Sequence, residues 1–345
     1  MKKSLQNDLD YIFNKTSHLV NELDGKTIFI TGGTGFIGKC ILEYFLWLNQ
    51  YKSITFNIIV LSRNPDYFLG KFPKFIVPFI QFVKGDVTEF DYSKLPHSDI
   101  IIHAATEADA KLNHEQPLKM INTIVEGTRK VFDYGVKVKS QKVLYLSSGA
   151  VYGVQPDNIV GFSENYYGGP NVLNTASAYS EAKRFSELYC SCYQKQYQMN
   201  VVIARCFAFV GPYLPLDMHF AIGNFIGNGL KGEDIIIKGN GSPLRSYMYA
   251  ADLVIWLLYA LLRGESGQAY NIGSEKSLSI KELAIEVAKF FPKLSVKILG
   301  ESNPTDRNQN YIPCIKKIKT ELAVPEILSL QEAIGRTIMF HTSDE

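Results

Sequence analysis

Over the first 24 positions the apolar residues Leu9, Ile12, Phe13, Leu19 and Leu23 recur at roughly helical spacing, which predicts a short amphipathic helix packed on the body. The period then changes. Thr27-Ile28-Phe29-Ile30 is a short β-branched and aromatic run, the pattern of a buried strand, and a glycine-rich turn and an apolar helix from Phe36 to about Leu48 follow it. Further strands are expected at 56–61, around 80–83, at 100–102 and at 142–146, with a helix over about 118–134 before the last. Strands alternating with helices imply a parallel sheet covered on both faces. Beyond Ser148 the pattern loosens: residues 153–175 are rich in Gly, Pro and Asn, a helix is expected over 178–196, and a sixth strand over 200–206. Past Gly211, helices at 217–230 and 250–263 and short strands at 235–238 and 269–272 are broken by loops.

The chain therefore divides into an N-terminal helical extension (1–24), a nucleotide-binding α/β unit (25–205) whose sheet is completed by parts of 235–275, and a region that is mainly substrate-covering (206–345). Charge removes some function classes. The 36 Lys+Arg against 34 Asp+Glu leave a net charge of +2, without the basic field of a nucleic-acid or anionic-membrane binder. The five cysteines are an odd, sparse set, and the one-residue gap of Cys190-Ser191-Cys192 suits neither a zinc knuckle nor a redox pair, so free thiols in a reducing compartment and no metal are expected. The N-terminus lacks the apolar run of a signal peptide, and the most apolar stretch, Ala250 to Leu262, is too short to span a bilayer and contains Asp252. A cytoplasmic protein without nucleic-acid or membrane partners is the expectation.

Thr31-Gly32-Gly33-Thr34-Gly35-Phe36-Ile37-Gly38 lies between the first strand and its helix. Glycines at 32, 35 and 38 suit a tight turn, close approach of the backbone to a pyrophosphate, and close helix–strand packing; the helix N-terminus offers free N–H groups to the phosphates. This context, a Rossmann βαβ unit, makes a dinucleotide the expected cofactor, held by Gly32, Thr34, Gly35, Phe36, Ile37 and Gly38. After the second strand, where an acidic residue would hold the ribose 2′-hydroxyl of NAD, Ser62 and Arg63 stand instead. Serine and arginine suit a 2′-phosphate, which tilts NAD(P) toward NADP; NAD held by other contacts stays open. Asp86, after the third strand, could meet the adenine.

Tyr179-Ser180-Glu181-Ala182-Lys183 opens the helix after the fifth strand and puts tyrosine and lysine on one helical face. A phenol titrates near about 10, and a neighbouring cation moves it toward useful range as a base. Ser147 and Ser148 end the fifth strand, where a hydroxyl can hydrogen-bond the same substrate oxygen.

These residues together resemble the extended branch of the short-chain dehydrogenase/reductases, the nucleotide-sugar epimerases and dehydratases. The likeness covers nearly the whole chain from Lys26: the glycine turn, His103-Ala104-Ala105, Ser147 through Gly153, Tyr179 through Lys183, Arg205 with Gly211-Pro212, Arg245 through Asp252, and Tyr270-Asn271-Ile272-Gly273. It implies a doubly wound sheet with a smaller C-terminal substrate-binding lobe, NAD(P) as cofactor, a nucleotide-diphosphate sugar as substrate and a homodimer paired through the helices near 118–134 and 178–196. By the same likeness Tyr179 takes the proton of the sugar 4-hydroxyl as C4 gives up hydride, Lys183 tunes it and holds the nicotinamide ribose, and Ser148 bonds the reacting oxygen. Val87, Ala104 and Ala105 fall to the cofactor. Gly149, Ala150, Arg205, Ala208, His219, Asn224, Arg245 and Arg307 fall with Ser148 to the substrate, Arg245 gripping the diphosphate.

The departures from the pattern bear on the reaction. Dehydratases of this type carry Asp-Glu after the Ser/Thr and decarboxylases keep a Glu, whereas here Gly149 and Ala150 have no proton to give or take. Small residues there resemble the 4-epimerases and 4-ketoreductases. Ala208 replaces a substrate-contacting Asn, Ile124 falls where an Asn precedes Gly127-Thr128 (with Asn122 or Thr123 one or two residues away), and Cys314 replaces an Asp. Glu107, at the end of the fourth strand, could restore a missing acid, with His219 and Glu164 as weaker candidates. The leading reading is a nucleotide-sugar 4-epimerase-type enzyme. A 4,6-dehydratase using Glu107, a 4-ketoreductase and a non-enzymatic dinucleotide sensor stand as alternatives.

Overall fold

The computed structural model describes residues 2–106, 110–218, 220–301 and 310–342. After helix α1 (Lys3–Val20) the chain builds β1 (Thr27–Thr31), α2 (Phe36–Lys52), β2 (Asn57–Ser62), α3 (Pro65–Lys71), β3 (Ile80–Lys84) and β4 (Ile100–His103). Then come α4 (Ala110–Glu115), α5 (Pro117–Val138), β5 (Lys142–Ser148), α6 (Ala178–Tyr197) and β6 (Val201–Cys206). The remainder contributes β7 (Phe209–Val210), α7 (Ala221–Lys231), β8 (Ile235–Ile237), β9 (Leu244–Ser246), β10 (Met248–Tyr249), α8 (Ala250–Arg263) and β11 (Ala269–Ile272). It ends with β12 (Ser277–Ser279), α9 (Ile280–Ala288), β13 (Val296–Ile298), α10 (Lys316–Leu322) and α11 (Leu330–Thr342).

Seven of these strands form one parallel sheet in the order β11-β6-β5-β4-β1-β2-β3. This is a Rossmann-like doubly wound α/β fold. Because helices cover both faces, the central strands are apolar runs rather than alternations; all four residues of β4, Ile-Ile-Ile-His, are buried. Alternate residues serve opposite layers. Ile28 and Ile30 pack with α2 and α8, while Phe29 packs with α5 and α6 residues such as Phe132 and Tyr193. From β1 the chain winds one way to β2 and β3, and from β4 the other way, so the sheet reverses between β1 and β4. Ligands of such sheets bind at the C-terminal edge of that reversal.

Helix α1 packs on α8, where Tyr11 Oη donates to Asp252 Oδ1 at 2.9 Å and Leu328 N–H donates to Asp252 Oδ2 at 3.0 Å. The acid inside the apolar helix α8 is thus a docking point for two other segments. Among the described residues, no helix is long and apolar enough to cross a membrane, and no group of three or more His, Cys, Asp or Glu is placed to hold a metal ion. All five cysteines are free thiols; Cys40, Cys190 and Cys206 are buried, and Cys192 is exposed.

Candidate active site

The glycine turn leaves β1 at the sheet reversal. Gly32 has φ +73°, and a Cβ there would lie 2.5 Å from the carbonyl carbon of Ala104, so the turn passes against the end of β4 with no room for a side chain. A Cβ on Gly38 would lie 2.3 Å from Gly32 O, which lets the first turn of α2 close onto the loop. Gly35 precedes the helix, and among the described residues no side chain caps it, so its first N–H groups remain available to an anion. Backbone cradle and bare helix start both fit the pyrophosphate of a dinucleotide.

The end of β4 is fixed from behind by a chain of hydrogen bonds. Thr128 Oγ1 donates to Ile124 O at 2.6 Å, so it must accept from His103 Nε2 at 3.0 Å. His103 Nδ1 then accepts from Thr31 Oγ1 at 2.6 Å, whose oxygen accepts from Ala105 N–H at 3.2 Å. Burial, together with the charge of Lys183, holds the His103 imidazole down to about 3, so it is neutral and serves as a strut.

A cleft of about 1260 Å³ runs along this edge. Its wall includes Gly32, Thr34, Gly35, Phe36, Ile37, Gly38, Ser62, Arg63, Asp86, Val87, Ala104 and Ala105 on the sheet side. Across from them it takes in Ser148, Ala150, Tyr179, Lys183, Ala208 and Arg245. Asp86 accepts from Thr88 N–H at 2.8 Å and Thr88 Oγ1 at 2.6 Å; burial opposes ionisation, but these bonds and the charges of Arg63 and Lys119 outweigh it and hold the carboxyl low.

Strand alternation separates the two serines that end β5. Ser147 Oγ turns away and donates to Glu187 Oε1 at 2.6 Å; Ser148 faces the cleft and accepts from Ala150 N–H at 3.1 Å. Burial pushes the Tyr179 phenol up to about 12, and its hydrogen bond with Ser148 pulls in the opposite direction. Lys183, one helical turn on, is buried with Nζ donating to Leu146 O at 2.8 Å, and burial pulls its ammonium down to about 8. Asn113 joins α4 to the start of α6: Oδ1 accepts from Tyr179 N–H at 2.9 Å and Nδ2 donates to Ala176 O at 2.9 Å.

Several sequence expectations are corrected here. Arg205 is not in the cleft: its guanidinium grips Glu187 with Nε at 3.0 Å and Nη2 at 2.7 Å, and donates to Tyr152 Oη at 2.8 Å. The guanidinium is turned to a carboxylate and a phenol in the interior, away from the substrate expected of it. Glu164 belongs to the same interior layer, accepting from Asn271 N–H at 2.8 Å, and it does not reach the cleft. Asn224, half-buried on α7, does not line the cleft either. Gly149 is buried, and the space over its Cα belongs to Phe207 and Tyr311. Of the positions around Ile124, Thr123 lines the cleft while Asn122 is exposed and Ile124 is core. Glu107, His219 and Arg307 lie outside the described residues. Sequence reasoning missed Asn113, Lys39, Phe207 and Tyr311, all of which line the cleft; no local motif marks them.

The buried Lys183 yields a pH signature. Its folded value of about 8 lies below the ordinary 10.5, so between these values the unfolded chain binds more protons and stability rises with pH. Lys183→Met removes that dependence: at pH 7 it is expected to be more stable than the parent by on the order of 1–3 kcal/mol, less the loss of the Leu146 bond. The gain shrinks as pH rises toward 10.5, the ordinary value. Urea unfolding across pH 7–10.5 measures it; a parallel pair of stability curves contradicts the assignment.

The NAD dependent epimerase/dehydratase family profile matches residues 28–273. The chain is 30% identical over 315 residues to UDP-glucuronic acid decarboxylase 6 of Arabidopsis thaliana, spanning 89% of this chain and 86% of that protein. It is 28% identical over 330 residues to UDP-glucuronic acid decarboxylase 1 of Danio rerio, spanning 94% and 75%. Among solved structures it is similar to an epimerase from Methanothermobacter thermautotrophicus, with a TM-score of 0.79, 24% identity and 96% of each chain covered, a likeness that speaks for the fold. The matched span runs from β1 to the end of β11 and contains the glycine turn, Ser148, Tyr179 and Lys183, so this chain belongs to the NAD-dependent epimerase/dehydratase family of enzymes.

Proposed function

We propose that the protein is a nucleotide-sugar 4-epimerase-type enzyme that passes through a 4-keto sugar. One observation carries the reading: Ser148, Tyr179 and Lys183 share the cleft with Ala150, which offers only a methyl group where a dehydratase or decarboxylase of this family type has its acid. The nicotinamide dinucleotide, when bound, would supply the hydride acceptor and donor. Tyr179 Oη takes the proton of the C4 hydroxyl and later returns it. Ser148 Oγ bonds the same oxygen and Lys183 keeps a positive charge beneath the phenol, both favouring the phenolate. Arg245, with its guanidinium in the cleft and part-buried, is suited to the diphosphate. Epimerisation then needs only room for the keto sugar to turn its other face to the cofactor.

The test is turnover of UDP-glucose, UDP-N-acetylglucosamine, dTDP-glucose and UDP-glucuronate; UDP is the nucleotide named in the curated relatives. C4 epimers without net cofactor consumption are expected, with Tyr179→Phe slower by about 10²–10⁴-fold. Release of water to a 4-keto-6-deoxy sugar, CO₂ from UDP-glucuronate, or stoichiometric oxidation of NADPH overturns the reading.

We further propose NADP over NAD. Ser62, Arg63, Lys39 and Lys71 line the cleft together, and burial and the nearby Lys71 depress the Lys39 ammonium, while Cys40 and Glu43 pull the other way. A 2′-phosphate would relieve that repulsion. Calorimetric titration should find NADP bound more tightly than NAD, with Arg63→Ala weakening NADP about tenfold and NAD little. Tighter NAD binding in the parent rejects it.

Leu118 and Ile121 on α5 and Phe185 and Leu188 on α6 expose large apolar side chains on two helices that pack together. That face supports a homodimer. Light scattering should give twice the chain mass for the parent and a monomer for Leu188→Glu; a monomeric parent sinks the dimer.

A further inference from the structure

Tyr311 reaches the cleft from far along the chain. Its N–H donates to Leu244 O at 3.1 Å and it bridges Arg245, so the residue hangs from β9. The phenol donates to the Cys206 carbonyl oxygen at 3.4 Å and its oxygen stands 3.5 Å from Ser148 Oγ, and the ring packs on Phe207 with centroids 4.7 Å apart. Together the two rings fill the space beside Ser148: a Cβ on Gly149 would lie 2.6 Å from Phe207 Cζ and 2.7 Å from Tyr311 Oη. No larger residue at 149 fits without displacing one of them. Burial pushes the Tyr311 phenol far up, so at neutral pH it stays protonated, a hydrogen-bond donor and a poor base.

We propose that Tyr311 contacts the sugar beside Ser148 and, with Phe207, fixes the outcome of the reaction; this rests on the epimerase reading above. A 4-keto sugar carries acidic hydrogens on C3 and C5, the carbons flanking the carbonyl, and an epimerase must return both untouched. A carboxylate or mobile water beside Ser148 would remove one. A neutral phenol backed by an aromatic ring occupies that space, spends its proton on the Cys206 carbonyl, offers its oxygen as acceptor to a sugar hydroxyl and takes no proton from carbon.

The test uses the cofactor-loaded enzyme and the variants Tyr311→Phe and Tyr311→Ala. In the binding arm, dissociation constants for UDP and for UDP-glucose are compared. Tyr311→Phe should leave UDP within about twofold and weaken UDP-glucose about 5–10-fold, the loss of one hydrogen bond to the sugar. In the isotope arm, turnover in D₂O should give product without deuterium at C3 or C5 from the parent and with deuterium from Tyr311→Ala. Equal weakening of UDP and UDP-glucose, or unchanged UDP-glucose affinity in Tyr311→Phe, overturns the sugar contact. Deuterium-free product from Tyr311→Ala overturns the shielding role. If the parent converts no sugar of the panel, the epimerase reading falls alone and the binding arm still decides whether Tyr311 meets the sugar.

Discussion

The cleft depends on one close approach, that of the Gly32 backbone to the carbonyl of Ala104, where a methyl group would sit 2.5 Å from carbon. That contact closes the gap where the sheet reverses direction between β1 and β4. It brings the phosphate-binding turn and the Ala104–Ala105 floor into one surface. The Thr31–His103–Thr128 chain ties the same two strand ends from beneath. Its direction is set by a single proton, the one Thr128 spends on Ile124 O, so the imidazole is neutral by geometry as well as by burial. The part of the fold that must present an invariant surface to a dinucleotide is therefore held by backbone contact and short neutral hydrogen bonds. Neither is screened by salt, nor switched by pH in the physiological range.

Behind that surface lies a second polar layer with a different task. Ser147, Glu187, Arg205, Tyr152 and Asn271 bond in sequence beneath the cleft, and Asn271 Nδ2 reaches the carbonyls of Phe162 and Cys314. The layer fastens the loop after β5 and the C-terminal segment to the sheet edge at β6 and β11. Its ion pair is part-buried and multiply bonded, the kind whose loss leaves an uncompensated charge. Lys183 stands apart from it: a buried cation bonded to the Leu146 carbonyl, with its ammonium destabilised by burial. A lysine kept at that cost is one whose charge is needed where it is.

What was legible in the sequence was what local spacing encodes. The glycine turn sits between a strand and a helix, the tyrosine and lysine lie one helical turn apart, and the serines that end the fifth strand border the cleft. The family likeness alone gives Arg205 to the substrate, and the structure spends its guanidinium elsewhere. Its partner, Glu187, lies 18 residues earlier on α6, and no spacing rule links them. Tyr311 is 163 residues from Ser148 and meets it only because Arg245 on β9 bridges it. Asn113, 66 residues before Tyr179, is hidden for the same reason.

The likeness to UDP-glucuronic acid decarboxylases and the absence of a carboxylate at 149–150 are compatible once the reaction is divided in two. On the proposed reading, oxidation at C4 draws on the glycine turn, Tyr179 and Ser148, which line one cleft along the sheet edge. What the keto sugar does next depends on the few atoms beside Ser148. Here those atoms are the methyl of Ala150, the ring of Phe207 and the hydroxyl of Tyr311. A 4-keto uronate is a β-keto acid and brings a carboxylate at C6 into the cleft. It would need a cation to hold its carboxylate until the keto group forms. Apolar and phenolic surface disfavours burying that charge, which makes a neutral C6 substituent the better fit to this wall and returns the argument to epimerisation at C4.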